Sequence, residues 1–206
     1  AFVGYQEKGG PKARGKQRLV MGPWTHGVLQ GKAGELTFPS ANRPPERVDD
    51  AWKWFDLTLK SNTFNAEPAV TYYVIGANEW RTADQWPPVK ATATKYFLHN
   101  DASLSPSTPG EADPFTYTYD PANPAPSIGG PQLTIPAGPM DQKNVENRPD
   151  VLIFSTAQLT EAVEVTGHVS AQVWVSTVDG YTSNAACVAR HNRHIGEDPD
   201  ARVRIK

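Results

Sequence analysis

The alternation of apolar and polar residues changes in character near residue 65. Before that point, residues 46–60 place apolar side chains three and four positions apart, which predicts an amphipathic helix. The short apolar run at residues 19–21 stops at Gly22-Pro23, which indicates a buried strand that leads into a loop. The apolar positions that define the helix are Val48, Ala51, Trp52, Phe55 and Leu59.

From residue 66 onward the pattern has a period of two, as in strands that are buried on one face. Segments rich in Pro, Gly and Asn separate these runs and predict turns. Short strands of this spacing cannot bury their faces singly, so we expect a mainly β chain folded as an antiparallel β-sandwich. The predicted strands are residues 70–75, 95–99, 115–119, 151–154, 161–165 and 169–176.

Composition narrows the class of protein. The 206 residues are 38% hydrophobic, enough for a core, and 19 Pro with 16 Gly disfavour long helices. The net charge of −2 argues against nucleic-acid binding, which needs a basic surface. The sequence has no apolar run of roughly 18 residues, so we expect no membrane span. A single Cys excludes a disulfide framework and leaves the cellular compartment open.

His26 is the histidine with the most informative position. It follows the predicted strand at residues 19–21 through a Gly/Pro-containing loop. In open α/β sheets, catalytic groups gather at the carboxyl ends of strands, and a His there can act as a general base. Position alone leaves a second interpretation, a loop His bonded to nearby backbone.

A metal site is not expected. Cys187, His191 and His194 have a C-x3-H-x2-H spacing, but three ligands without a second Cys make a weak case for zinc. No cofactor is expected either.

Several motifs, in order along the chain, resemble the CocE/NonD family of serine hydrolases. Residues 19–27, LVMGPWTHG, are similar to the family loop that carries the catalytic His, and residues 51–60 to the helix that follows it. The similarity extends over roughly residues 1–177, beyond which a polar, Arg-rich stretch departs from the family pattern. The remaining motifs are residues 72–76 with Trp80, Trp86-Pro87-Pro88, residues 119–124, Gly129-Gly130, Asp141-Gln142, residues 148–152 and residues 164–167.

The resemblance implies two domains. Residues 1–65 would be the C-terminal remnant of an α/β-hydrolase domain, and residues 66–206 a jelly-roll-like antiparallel β-sandwich. Cut off from its parent sheet, the remnant would expose the apolar face of the helix at residues 46–60. The implied partner is therefore the N-terminal α/β-hydrolase portion of the same protein.

The resemblance also implies a Ser–Asp–His triad that cleaves ester or amide bonds, X-Pro dipeptidyl bonds included, through an acyl-enzyme. His26 would be the triad base. Phe2 would line the acyl pocket for a small-molecule ester, amide or peptide substrate, or would serve only in packing. Trp24 would position the His26 loop or contact the substrate. The nucleophile motif G-x-S-x-G is absent, and Ala1-Phe2 would directly follow the triad Asp. By itself the chain would then be inactive.

Two other interpretations stay open. Residues 66–206 alone could form a non-catalytic module that binds carbohydrate or protein, with Trp80 and Trp86 stacking on sugars. The chain could also be the product of an incomplete gene with no function of its own. The His26 loop discriminates, because a pure binding module has no use for a strand, loop and helix before its first sandwich strand.

Overall fold

The fold is mainly β. A computed structural model describes residues 1–26, 31–45, 51–60, 68–88, 90–118, 120–133, 135–176, 182–189, 193–195 and 204–205. In that part of the chain the helices are α1 Phe2–Lys8, α2 Ala51–Leu59 and α3 Lys143–Glu146. The strands are β1 Leu19–Met21, β2 Lys32–Ala33, β3 Leu36–Thr37, β4 Val70–Val74, β5 Glu79–Ala83, β6 Phe97–Leu98, β7 Leu104–Ser105, β8 Phe154–Ser155, β9 Val163–Val165, β10 Val169–Ser176, β11 Thr182–Ala189, β12 Arg193–Ile195 and β13 Arg204–Ile205.

The predicted mainly β class is confirmed, because strands outnumber helices and most strand pairs are antiparallel. The antiparallel pairs are β2–β3, β4–β5, β6–β7, β8–β13, β9–β12 and β10–β11. Among the described strands, β1 and β4 form the one parallel pair. None of the helices in these ranges is long and apolar enough to cross a membrane.

The sheet that positions the candidate site has the strand order β1–β4–β5. Leu19 lies opposite Val70, and Met21 lies opposite Tyr72. Parallel neighbours need a crossover connection, and α2 lies in the segment that joins β1 to β4. This strand–helix–strand unit crosses the predicted boundary at residue 65, which itself stays a prediction.

Strand β4 is buried along its whole length, as expected for a central strand covered on both faces. Successive side chains point to opposite faces. On one face, Val70, Tyr72 and Val74 pack with Phe2 of α1 and with Leu19 and Met21 of β1. On the other, Tyr73 packs with Ala33, Phe38 and Ala41.

The β2–β3 hairpin docks against a distant segment at residues 138–141. The backbone N–H of Glu35 donates to the carbonyl of Pro139 (3.0 Å), and the N–H of Asp141 donates to the Glu35 carboxylate (2.8 Å). Gly34 has φ 55°, and a Cβ there would lie 2.2 Å from the Pro139 oxygen. Only glycine therefore fits at the tip of the hairpin.

One predicted strand is wrong. Residues 115–118 are irregular, and residue 119 lies outside the described part of the chain. Tyr117 is 55% exposed, and Phe115 packs edge-on against Phe154 at 5.2 Å. Alternation of aromatic residues and Thr mimics a strand there, but no described neighbour supplies a hydrogen-bonding ladder.

The other predictions differ mainly in their boundaries. β4 and β10 match the predicted strands within one residue, whereas β6, β8 and β9 are shorter or shifted. The predicted helix at residues 46–60 is observed as α2, and residues 46–50, with Val48, lie outside the described ranges. Its expected exposed face is confirmed at Trp52 (81% exposed), Phe55 (52%) and Leu59 (78%).

Candidate active-site loop around His26

His26 lies five residues beyond Met21, the last residue of β1, and its side chain is exposed. The carboxyl end of a parallel strand in a strand–helix–strand unit is where α/β proteins place catalytic groups. The loop comprises residues 22–31, of which residues 27–30 lie outside the described part of the chain. The structure describes the residues at both ends of this segment, Trp24 and Gly31, and the hydrogen bonds that hold them.

Trp24 fastens the first end. Its indole N–H donates to the carbonyl of Ala41 at 3.0 Å, and its ring lies 5.6 Å from that of Trp80. A Cβ on Gly22 would come within 2.3 Å of the Trp24 ring, so glycine at position 22 lets the indole fold back over the chain. Trp24 is half-buried and its polar atom is used internally.

A short turn at residues 38–41, closed by the bond from Ala41 N–H to Phe38 C=O (3.2 Å), receives these contacts. Three of its successive carbonyls each accept a bond from an aromatic side chain. The Tyr73 hydroxyl donates to Pro39, the Trp80 indole N–H to Ser40 (2.9 Å), and the Trp24 indole N–H to Ala41 (3.0 Å).

The same turn fastens the second end of the loop. The backbone N–H of Phe38 donates to the carbonyl of Gly31 at 2.7 Å. Residues 22–24 and residue 31 are thus both tied to the 38–41 turn. The turn therefore contacts residues on both sides of His26.

The rings that hold the turn also pack on each other. Tyr73 lies edge-on to Trp80 at 5.4 Å and to Phe38 at 6.3 Å. Burial raises the pKa of the Tyr73 phenol, which keeps it protonated as a donor. The family motifs include both Tyr73 and Trp80, but they did not point to the turn that these side chains hold. Alternation in β4 places Tyr73 and Thr71 on one face.

Phe2, the other predicted substrate contact, packs elsewhere. It is half-buried on α1 and belongs to the cluster of Val70, Tyr72 and Val74, on the opposite face of β4 from Tyr73. The structure therefore places Phe2 and Trp24 on opposite faces of β4. Substrate contact by either residue stays a prediction.

An ion pair between Arg81 and Glu164 links β5 to β9. Arg81 bonds Glu79 (2.7 Å) and Glu164, and these carboxylates raise the pKa of the guanidinium. Within the described ranges, no three His, Cys, Asp or Glu side chains come together as a metal-binding group. His191, one of the three residues weighed as zinc ligands, lies outside those ranges.

Comparison with known proteins identifies the family. Residues 62–186 match the family described as the X-Pro dipeptidyl-peptidase C-terminal non-catalytic domain. The chain is 38% identical to a cocaine esterase of Rhodococcus sp. (strain MB1 Bresler) over 175 residues, which cover 78% of this chain and 30% of the esterase. The chain thus spans less than a third of that relative.

Two solved structures resemble the fold. An aminopeptidase from the marine sediment archaeon Thaumarchaeota archaeon is 29% identical, with a TM-score of 0.60 over 77% of this chain and 28% of that one. A selenomethionine-labelled α-amino acid ester hydrolase is 24% identical, with a TM-score of 0.69 over 91% of this chain and 41% of that one, which shows the fold alone. The chain therefore belongs to the X-Pro dipeptidyl-peptidase C-terminal domain family, and the resemblance to the C-terminal part of the CocE/NonD hydrolases is confirmed.

Proposed function

We propose that the chain is the C-terminal part of a serine hydrolase that cleaves ester or amide bonds, and that His26 is the base of its catalytic triad. One observation carries the proposal: an exposed His lies just beyond the carboxyl end of a parallel strand, in a loop fastened at both ends. Two of the named relatives, an esterase and an aminopeptidase, support this class of reaction.

The chemistry assigned to His26 has two steps. Its imidazole takes the proton from the serine hydroxyl as that oxygen attacks the carbonyl carbon, and gives the proton to the leaving group. It then takes a proton from the water that attacks the acyl-enzyme, and it returns that proton to the serine oxygen as the acyl bond breaks. A small ester, an amide or an X-Pro peptide would fit this scheme, and the Ser and Asp would come from the N-terminal α/β-hydrolase portion.

Two surfaces support a missing N-terminal portion as the partner. Among the described strands, β1 lies at the edge of the β1–β4–β5 sheet, where a further parallel strand could pair. The second surface is the apolar face of α2, which is formed by Trp52, Phe55 and Leu59 and is exposed to solvent. Large apolar side chains on one helix face normally lie against another element.

A carbohydrate-binding module is less well supported. Its two proposed stacking residues are engaged within the fold: Trp80 packs between Trp24 and Tyr73, and Trp86 lies edge-on to Tyr72 at 5.7 Å. Both tryptophans are half-buried. A sugar would have to displace these ring contacts before it could stack.

A fluorophosphonate probe tests the proposal without knowledge of the natural substrate. It labels only a serine that is activated by its base, so labelling reports the triad directly. In the longer enzyme, His26→Ala should slow labelling by at least about 1,000-fold, because the triad members act as a unit. His168→Ala is the matched control and should label at the parent rate. Equal labelling of the His26→Ala enzyme and its parent would refute the proposal.

A further inference from the structure

We infer that Tyr73 and Trp80, which belong to the segment matched as a non-catalytic domain, are positioning residues for His26. This inference rests on the proposed function, because it assigns them a role in the reaction that His26 carries. Both residues lie within residues 62–186, on β4 and β5, and neither is expected to touch substrate.

Two aromatic side chains donate to successive carbonyls of the 38–41 turn. Tyr73 is 2% exposed and donates its hydroxyl to Pro39 C=O, while Trp80 donates its indole N–H to the carbonyl of the next residue, Ser40. Ser40 has φ 60°, in the left-handed region that non-glycine residues rarely occupy. Such a conformation persists only where its surroundings hold it, and here the side chains of β4 and β5 do so.

Trp24 and Gly31, on either side of His26, are both bonded to the 38–41 turn, through Ala41 C=O and Phe38 N–H. The ring of Trp80 also contacts that of Trp24 at 5.6 Å. The turn is therefore the element through which β4 and β5 hold Trp24 and Gly31.

A general base works only when its nitrogen lies within hydrogen-bond reach of the serine hydroxyl, and a misplacement of about 1 Å can cost about 100-fold in rate. Releasing one carbonyl of the turn should loosen its hold on Trp24, two residues before His26. The turnover number should fall, while the binding of substrate by other parts of the enzyme is preserved.

The test uses four variants of the longer enzyme, each of which keeps an aromatic ring. Trp80→Phe and Tyr73→Phe delete one donor to the turn. Trp86→Phe and Tyr72→Phe are matched controls, since they make the same substitutions in half-buried or buried side chains on the opposite face of the sheet. We expect kcat to fall about tenfold or more in the first pair with KM within about twofold, and kcat to stay near the parent value in the second.

Melting temperature and turnover together decide the outcome. If all four variants lose thermal stability alike but only the first pair loses kcat, the positioning role is established. If kcat follows the loss of stability in all four, or stays at the parent value in both Trp80→Phe and Tyr73→Phe, the inference is wrong. Tyr73→Phe removes a single oxygen atom and keeps the test valid should Trp80→Phe fold poorly. His26→Ala, measured alongside, separates the two failures: if it is inactive while the first pair is normal, only the positioning role falls.

Discussion

Thr71 lies in the middle of β4 with no solvent exposure, and its hydroxyl has no hydrogen-bond partner among the described residues. It shares a face of the strand with Tyr73, whose hydroxyl does find a carbonyl. An unpaired buried hydroxyl costs stability, whereas a paired one contributes. We therefore expect the unpaired Thr71 hydroxyl to lower the free energy of unfolding and the bonded Tyr73 hydroxyl to raise it.

Thr71→Val should raise the free energy of unfolding by about 1 kcal/mol, because a methyl group replaces the unpaired hydroxyl. Thr82→Val is the matched control, since Thr82 lies directly opposite Thr71 on β5 and is exposed. Its effect should stay within about 0.5 kcal/mol. Urea denaturation measures both, and a clear loss of stability in Thr71→Val would show that the hydroxyl is bonded.

Asp150→Asn should lower the melting temperature at pH 7. Arg148 bonds both carboxylate oxygens of Asp150, at 2.7 and 2.6 Å, and holds its pKa below the ordinary value of 3.8. Because the pKa is lower in the folded state, the pair stabilises the fold above that value and the contribution is lost as the pH falls through the folded pKa. The difference from the parent should therefore shrink toward pH 2. Asp113→Asn, at an exposed carboxylate, should change the melting temperature little. A difference in melting temperature between Asp150→Asn and its parent that persists unchanged at pH 2 would contradict this prediction.

Among the helices and strands, the longer ones with a regular apolar pattern were predicted best. Residues 169–176 alternate cleanly and form β10 with the predicted bounds, and β4 ends one residue early. α1 and the β2–β3 hairpin were not predicted, because they are short and depend on distant contacts such as Glu35 with residues 139 and 141. No local pattern encodes such contacts.

Substitution of Phe55, on the exposed face of α2, should affect stability differently in the isolated chain and in the longer enzyme. In the isolated chain, Phe55→Gln should leave stability within about 0.5 kcal/mol, since Phe55 is half exposed there, and should reduce aggregation. In the longer enzyme, where the N-terminal portion would cover this face, the same change should cost about 2–4 kcal/mol. Tyr117→Gln, at a side chain of similar exposure outside the strand–helix–strand unit, is the control. Equal shifts of Phe55→Gln in the two proteins would show that nothing docks on α2.

For the whole molecule, the sequence motifs were enough to recognise the family and the mainly β class, because several occur in order. They pointed to His26 as a candidate base and to Trp24, but not to the bonds by which Tyr73 and Trp80 hold the 38–41 turn. Trp24 was predicted to position the His26 loop, with substrate contact as the alternative, and its bond to Ala41 and its ring contact with Trp80 show how it is held. Such roles depend on which faces meet in three dimensions, which one sequence does not state.

The role of His26 can be measured as the turnover of a p-nitrophenyl ester by three proteins: the longer enzyme, its His26→Ala variant, and the isolated chain. The account predicts that His26→Ala lowers kcat by about 10⁴- to 10⁶-fold with the fold intact, while His99→Ala and His168→Ala cost far less. We predict that the isolated chain shows only the background of free imidazole, because the Ser and Asp of the proposed triad would lie in the N-terminal portion. Near-parent turnover in the His26→Ala enzyme would contradict the assignment of the general base, and with it the function proposed for this chain.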